Sequence, residues 1–473
     1  MQQFIPIMLV VATASAGLGL IVAVIGRMPT SALWCAAGVV ALVVAQVFAP
    51  GIMSFDSLSQ YAQATGARPL SNAHPVVMSR IWGAMLAIAP TFTGSWLLVN
   101  QLLHWSAAAI LAVALTLDWR MRALILVVIG LWPPLALLSL HIWKDVAMGE
   151  LLAISVGLIL LHHRKPSPWL AMGALATLLL AAQFRHNALT AVVPLLVIAS
   201  WQLATDVWPR FQKRAAVAVF AGWIVALVGS TSLLEIGAAK SEGGLIPAIL
   251  LWDIAAMSVI EGKHLFPNYY PVLAEGDVMS AVKEHFNPYA NYPVYEAISP
   301  YPKGISVGTI VADWFKIVVA HPTAYLRHRL YVFSIMLGLG PEVYYPVHPG
   351  IDQNDAGLEP QFLSQERFWR FIVFAMNLGQ TAFYRIWIYV ACLAVSFAYA
   401  IANLRQQNAA LLVGITSSGL LTMASMLIVA PAADFRFMNW VVASGLISLI
   451  LVVKHCVEAR RGIEADLDRV PGP

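Results

Sequence analysis

SLHIWKDVAMGE, residues 139–150, sets a lysine beside an aspartate in a chain where charge is scarce. Apolar runs close in from both sides, 122–140 before the pair and 146–162 after it, and leave no room for a loop. Such runs approach the ~20 residues that a helix needs to cross the hydrocarbon of a bilayer. Others lie at 4–26, 31–49, 94–117 and 409–429. Of the 473 residues, 60% are hydrophobic and 11% charged, with a mean hydropathy of +0.75. A soluble chain would carry roughly a quarter charged residues. The fold class is therefore an all-α polytopic membrane protein.

Basic residues set the path. Arg27, Arg120 and Arg122, Arg164 and Lys165, Arg210 with Lys213 and Arg214, Arg405, and Lys454 with Arg460 and Arg461 fall in alternate short loops. Excess Lys and Arg mark cytoplasmic loops. Adding runs at 168–184, 188–204, 215–234, 384–403 and 436–454 gives about 11 transmembrane helices, N-terminus out and C-terminus in. The first run opens Met1-Gln2-Gln3 without basic residues and is long for a signal peptide, so it reads as a retained span. The net charge of +4 sits mostly in these loops and reports topology, not a nucleic-acid partner.

Residues 76–90 are apolar but short and contain Arg80, which predicts an interfacial helix in the first outer loop, 50–93. The same reading suits 328–340 and 364–381. Segment 235–383, rich in Tyr, Pro and Asn, predicts a small, mostly irregular periplasmic cap with a helix near 246–260. Pro341, Pro346 and Pro349 break any continuous helix there. The chain thus divides into an N-terminal transmembrane module (1–234), the cap (235–383) and a C-terminal transmembrane module with its tail (384–473).

Four polar clusters fall at the outer ends of spans: Asp56 with His74, Lys144-Asp145, Arg185-His186-Asn187, and Asp434 with Arg436. Ionisable groups at membrane depth are costly unless paired, hydrated or used. Each cluster also has a plain structural reading. Asp56 and Ser54 precede a helix-like run and suit a helix cap, whereas an ionised carboxylate there would take a proton from a hydroxyl. His74-Pro75 is ordinary punctuation at a helix start, or a donor to phosphate or sugar. Lys144 and Asp145 offset each other's burial, or Lys144 meets a phosphate while Asp145 caps the next helix. Arg185, His186 and Asn187 occupy a tight outer turn where a guanidinium fork matches phosphate oxygens. Asp434 and Arg436 form an intra-turn ion pair of small worth if exposed, or supply a further cation. Glu150 stands isolated inside a span.

Cys35, Cys392 and Cys456 lie in or beside apolar runs and indicate neither a disulfide framework nor a thiolate metal site. No metal motif occurs, the sequence names no cofactor, and a divalent cation held by oxygen ligands stays open.

An outer Asp shortly after a span (Asp56 in FDSLSQYAQ), then His74-Pro75 opening an interfacial helix, then a span ending in a basic turn, resembles the first outer loop of the GT-C superfamily of membrane glycosyltransferases. Protein O-mannosyltransferases and lipid A aminoarabinose transferases belong to it. WKDVAMG, FRHNALTAVVP, IVVAHPTAYL at 317–326 and DFRF look like a bacterial branch of such proteins. The resemblance implies a polyprenyl-phosphate sugar as donor, a glycan, glycolipid or protein hydroxyl as acceptor, inversion at the anomeric carbon, and Asp56 as base. Lys144, Arg185 and Arg436 become candidates for the leaving phosphate, with Asp145, Asn187 and Asp434 beside them and His74 and His186 orienting. Ser57 follows Asp56 where the best-known members carry a second acid. The expected setting is a bacterial inner membrane with the site facing the periplasm.

Three rivals share parts of this pattern. A flippase for lipid-linked sugars would show discontinuous spans, mid-membrane polar residues and often internal repeats. A polysaccharide ligase or polymerase would hold the same donor with Arg and His. A scaffold with a binding loop would leave the tight-turn charges unexplained.

Overall fold

The computed structural model describes residues 30–239, 245–361, 363–406 and 409–467. The expected span at 4–26 lies outside them. In chain order the helices are α1 (Thr30–Phe48), α2 (Phe55–Ala64), α3 (Val77–Ile88), α4 (Ser95–Leu115), α5 (Trp119–Gly130), α6 (Pro133–Leu138), α7 (Lys144–Arg164), α8 (Pro168–Ala182), α9 (Leu189–Val207) and α10 (Gln212–Leu234). There follow α11 (Ile246–Glu261), α12 (Val278–His285), α13 (Val307–Ala320), α14 (Pro322–Met336), α15 (Gln365–Gly379), α16 (Ile386–Ala402), α17 (Ala409–Val429) and α18 (Asn439–Leu467). Among the described residues there is no strand, only isolated β-bridges.

Seven of these segments are long and apolar enough to cross a membrane: α1, α4, α7, α9, α17, and α10 and α18 with the 3-10 turns that lead into them. The predicted run 122–140 is not one rod. It stops at Gly130 and restarts as α6, because Pro133 and Pro134 interrupt the helical hydrogen-bond ladder and suit only a first turn. Residues 168–182 and 386–402 are helical but short, with 15 and 17 residues.

Small residues let the helices approach. α1 lays Leu33, Ala37, Ala41 and Ala45 against α4, the close packing that helices in lipid rely on. A Cβ on Gly149 would meet Asn439 Nδ2 at 2.5 Å, so α7 and α18 cross tightly there, just below Lys144 and Arg436.

The bundle has two chemically distinct ends. Lys144 opens α7 and Arg164 closes it, about 30 Å apart at 1.5 Å per residue. At the Arg164 end, its Nη1 donates to the carbonyls of Val113 and Ala114 at 2.9 and 2.8 Å, and Arg122 Nη1 reaches Thr30 Oγ1 at 3.2 Å. Lys454 and His455 line the same recess as Arg164. At the Lys144 end lie α2 and α3, packed together. Arg80, awkward in an apolar segment, donates from Nε to Leu234 O at 3.2 Å and from Nη2 to Ile236 O. It thereby satisfies the C-terminal carbonyls of α10, where a cation is favoured.

The segment after α10 builds a second core from Leu251, Ile254, Val282, Val294, Ile298 and Ile310. The helix expected near 246–260 is α11, 328–340 falls within and after α14, and 364–381 is α15. Inside this cap, Asp253 Oδ2 accepts from Arg329 Nη2 at 2.8 Å and from Trp314 Nε1 at 3.1 Å. Arg329 Nη1 donates to Ala430 O at 2.8 Å, and Ala433 N donates to Tyr289 O at 2.7 Å. The cap is thus fastened to residues 430–433, immediately before Asp434.

Candidate functional site

Three backbone segments from distant parts of the chain meet just before Asp56. Ile52 pairs with His141, and Met53 with Ile351, both as parallel bridges. Ser57 Oγ donates to Ile142 O at 2.7 Å, and Ser54 Oγ accepts from Trp143 Nε1 at 2.8 Å. Ser54 is therefore engaged across the fold and does not cap α2. Asp56 occupies the first turn of α2, where the helix dipole favours an anion.

The four sequence clusters interlock here. Arg436 Nη2 donates to Asp56 Oδ2 at 3.0 Å, across 380 residues of sequence. Asp434 accepts from Arg436 N at 3.0 Å and holds its Oδ2 3.0 Å from Arg436 Nε. Lys144 Nζ stands 2.6 Å from His74 Nδ1, and His74 Nε2 stands 3.7 Å from Asp56 Oδ1. An ammonium only donates, so His74 Nδ1 accepts and its ring proton lies on Nε2, the atom that faces Asp56. Arg185 Nη1 binds Asp145 Oδ1, and Arg185 Nε donates to Asn187 Oδ1 at 2.9 Å. Asp145 is thus an ion-pair partner; α7 has no side-chain cap. Phe437 contacts both guanidiniums, with Arg185 4.9 Å and Arg436 5.1 Å from its ring centre. Trp143 takes Arg436 at 4.9 Å and stacks on His141 at 4.3 Å. Such cation–π contacts hold a charge in place without neutralising it.

His186 departs from the expectation. It is exposed and, among the described residues, makes no hydrogen bond with the cluster. The turn that directs Arg185 inward points the next side chain out.

Charge is finely balanced. Lys144, Arg185 and Arg436 face Asp56, Asp145 and Asp434. Burial raises the Asp56 carboxyl, but Arg436, His74 and Lys144 outweigh it and hold it well below the usual range. Lys144 and burial lower His74, which stays neutral. Burial pushes Asp434 up to about 6 against the pull of Arg436. Both Arg side chains are committed to carboxylates, whereas Lys144 has an uncharged imidazole as hydrogen-bond partner. Lys144 is therefore the basic side chain with the fewest commitments to carboxylates and the best placed to meet an incoming anion.

Sequence reasoning missed a contiguous second group. His141 Nδ1 contacts Leu137 O at 2.9 Å, and its Nε2 accepts from His348 N at 3.1 Å. Burial and His348 push His141 down to about 3, so it serves as a neutral strut. His348 Nε2 lies 3.2 Å from Asp352 Oδ1, and its Nδ1 lies 3.3 Å from Tyr345 OH. The available signals were His141 and Trp143 flanking Lys144-Asp145, and a His-Pro pair at 348–349 like that at 74–75. Glu150 also finds its partner: Oε1 lies 2.9 Å from His104 Nδ1, whose Nε2 contacts Gly130 O at 2.9 Å.

Among the described residues, no group of three or more His, Cys, Asp or Glu side chains is arranged to hold a metal ion. Comparison of the chain with family models, curated proteins and solved structures finds no match.

Proposed function

We propose that this chain is a membrane glycosyltransferase that moves a sugar from a polyprenyl-phosphate donor to a hydroxyl acceptor at the outer face of a bacterial inner membrane. The observation that carries the reading is the Asp56–Arg436 pair at 3.0 Å with Lys144–His74 on its other side. It joins one ionised carboxylate to buried cations at one end of an apolar bundle, which are the parts this reaction needs.

In this reading the acceptor oxygen bonds to the anomeric carbon while Asp56 takes its proton. The bond from that carbon to the phosphate oxygen breaks on the opposite face, with inversion, and its electron pair leaves on the phosphate. A carboxylate with a lowered pKa is a weak base, so proton transfer follows bond formation, when the attacking oxygen has become acidic. Lys144 receives the phosphate first, with Arg185 and Arg436 behind it, in a setting where fixed cations act strongly because water is scarce. The full path would comprise about 11 spans: the seven long segments, the broken α5–α6 pair, the shorter α8 and α16, and the apolar run 4–26 outside the described residues, with the Arg164 end cytoplasmic.

The test is transfer of radiolabelled sugar from purified lipid donor in membranes carrying Asp56→Asn. Transfer should fall about 10²- to 10⁴-fold; turnover equal to wild type would remove Asp56 as base. The buried His104–Glu150 contact and the discontinuous α5–α6 favour the flippase reading. A donor that accumulates on the inner leaflet in a deletion strain, with no missing glycan, would select it.

A further inference from the structure

We propose that Tyr345, His348 and Asp352 form a saccharide-binding shelf beside Asp56, so that the acceptor is a glycan and not a protein side chain. The sugar-binding part stands on geometry alone; its role as acceptor site rests on the transferase reading above.

The shelf sits in the loop between α14 and α15 and is fixed to the candidate base by backbone. Met53 N donates to Gly350 O at 3.0 Å and Asp352 N donates to Met53 O at 2.9 Å, three residues before Asp56. Trp143 bridges the two groups, edge-on to His348 at 6.2 Å and facing the Arg436 guanidinium at 4.9 Å.

Three features separate these residues from ordinary interfacial aromatics. Tyr345 has φ 52°, the one non-glycine residue with positive φ among those described. A bulky residue held in that region is strained, and such strain collects at binding and catalytic positions. Its hydroxyl is oriented by a relay: Tyr345 OH to His348 Nδ1 at 3.3 Å, then His348 Nε2 to Asp352 Oδ1 at 3.2 Å. A tyrosine that merely marks the lipid boundary needs no buried histidine behind its hydroxyl. Finally, the outward-facing groups differ in kind. Tyr345 is 37% exposed, the Asp352 side chain 41%, and His348 between them 4%.

That mixture matches a sugar. The C–H face of a pyranose ring stacks on an aromatic ring, and its hydroxyls donate to a carboxylate. A lone peptide hydroxyl can donate to the carboxylate but brings no C–H face to lay on the ring. Burial pushes the Tyr345 phenol up to about 12, so it stays protonated and keeps its bond to His348.

The experiment uses the full chain in lipid nanodiscs free of sugar detergents, with saturation-transfer NMR on free glucose, galactose, mannose and N-acetylglucosamine. At least one should show saturation on its ring protons. Tyr345→Asn keeps a residue that tolerates the left-handed backbone and removes the ring; it should weaken that sugar about two- to tenfold. Tyr345→Phe should retain most of the binding. Asp352→Asn, which leaves the backbone undisturbed, should weaken it about tenfold. No saturation with wild type, or an Asp352→Asn Kd equal to wild type, overturns the shelf. Asp56→Asn should bind sugar normally and fail only in transfer. Normal transfer by that variant, with the shelf variants still weakened, would remove the transferase reading and leave the shelf standing.

Discussion

Two aspartate–arginine pairs in this molecule look alike on paper and differ in what surrounds them. In the cap, the Asp253 side chain is 0% exposed and Arg329 2%, and their polar groups reach Trp314 and Ala430 O. Burial raises Asp253 against the pull of Arg329, and His328, pushed down to about 3, packs edge-on against Trp252. At the membrane end, the Asp56 side chain is 35% exposed, and its Oδ1 has only His74 at 3.7 Å, beyond hydrogen-bond length. The first pair is enclosed and rivets the cap to the end of α17. The second keeps one carboxylate oxygen accessible. Access, and not the presence of an ion pair, separates the two.

That contrast can be broken by mutation. Asp56→Asn should cost about 10²- to 10⁴-fold in transfer and lower the unfolding temperature less than Asp253→Ala does; a larger fall than that of Asp253→Ala would make the pair structural. Asp253→Ala should do the reverse. Stranding Arg329 in the interior costs about 3–5 kcal/mol, read as lost hydrogen-exchange protection across 246–336; unaltered protection would deny the rivet. Lys144→Met removes a buried charge but keeps the volume, so the fold should persist. Donor affinity should drop about 10- to 100-fold, the worth of a hydrogen bond to a charged group; unchanged affinity would pass the phosphate to the arginines.

The smallest effect concerns pH. Asp434 is raised to about 6, so lowering pH from 7.5 to 5.5 protonates it and removes one negative charge from the cluster. Donor binding should tighten a few-fold over that window, and Asp434→Asn should reduce the slope without abolishing it; equal slopes would exclude Asp434. The stability sign is opposite for the two acids. Asp434, raised in the fold, costs stability as pH climbs from the ordinary carboxylate range through about 6. Asp56, lowered in the fold, contributes stability above that range and loses it as pH falls.

Much of this was legible in the chain. Apolar run length announced helices in lipid, and charges at the run ends announced Asp56, Lys144, Arg185 and Arg436, because burial makes such residues conspicuous by their cost. Pairing was not legible. Nothing local tells Arg436 to choose Asp56, or His74 to choose Lys144, since these contacts depend on how α7 and α18 cross at Gly149. The break at 131–132 does not show in run length, because Pro133-Pro134 lie inside an apolar run that is otherwise continuous. Tyr345, His348 and Asp352 escaped because aromatics and histidines in a long loop are common, and the strain at Tyr345 exists only once its neighbours fix the backbone. The separate placement of exposed His186 and half-buried Arg185 was equally hidden, since adjacent residues in a turn point in different directions.

The Asp56–Arg436 contact also bears on biogenesis. Asp56 is synthesised 380 residues before its counter-ion, which sits in the turn leading into α18. Any polypeptide released before that helix is inserted carries the carboxylate without the guanidinium. Closure of this end of the bundle therefore waits on a contact that spans 380 residues of chain.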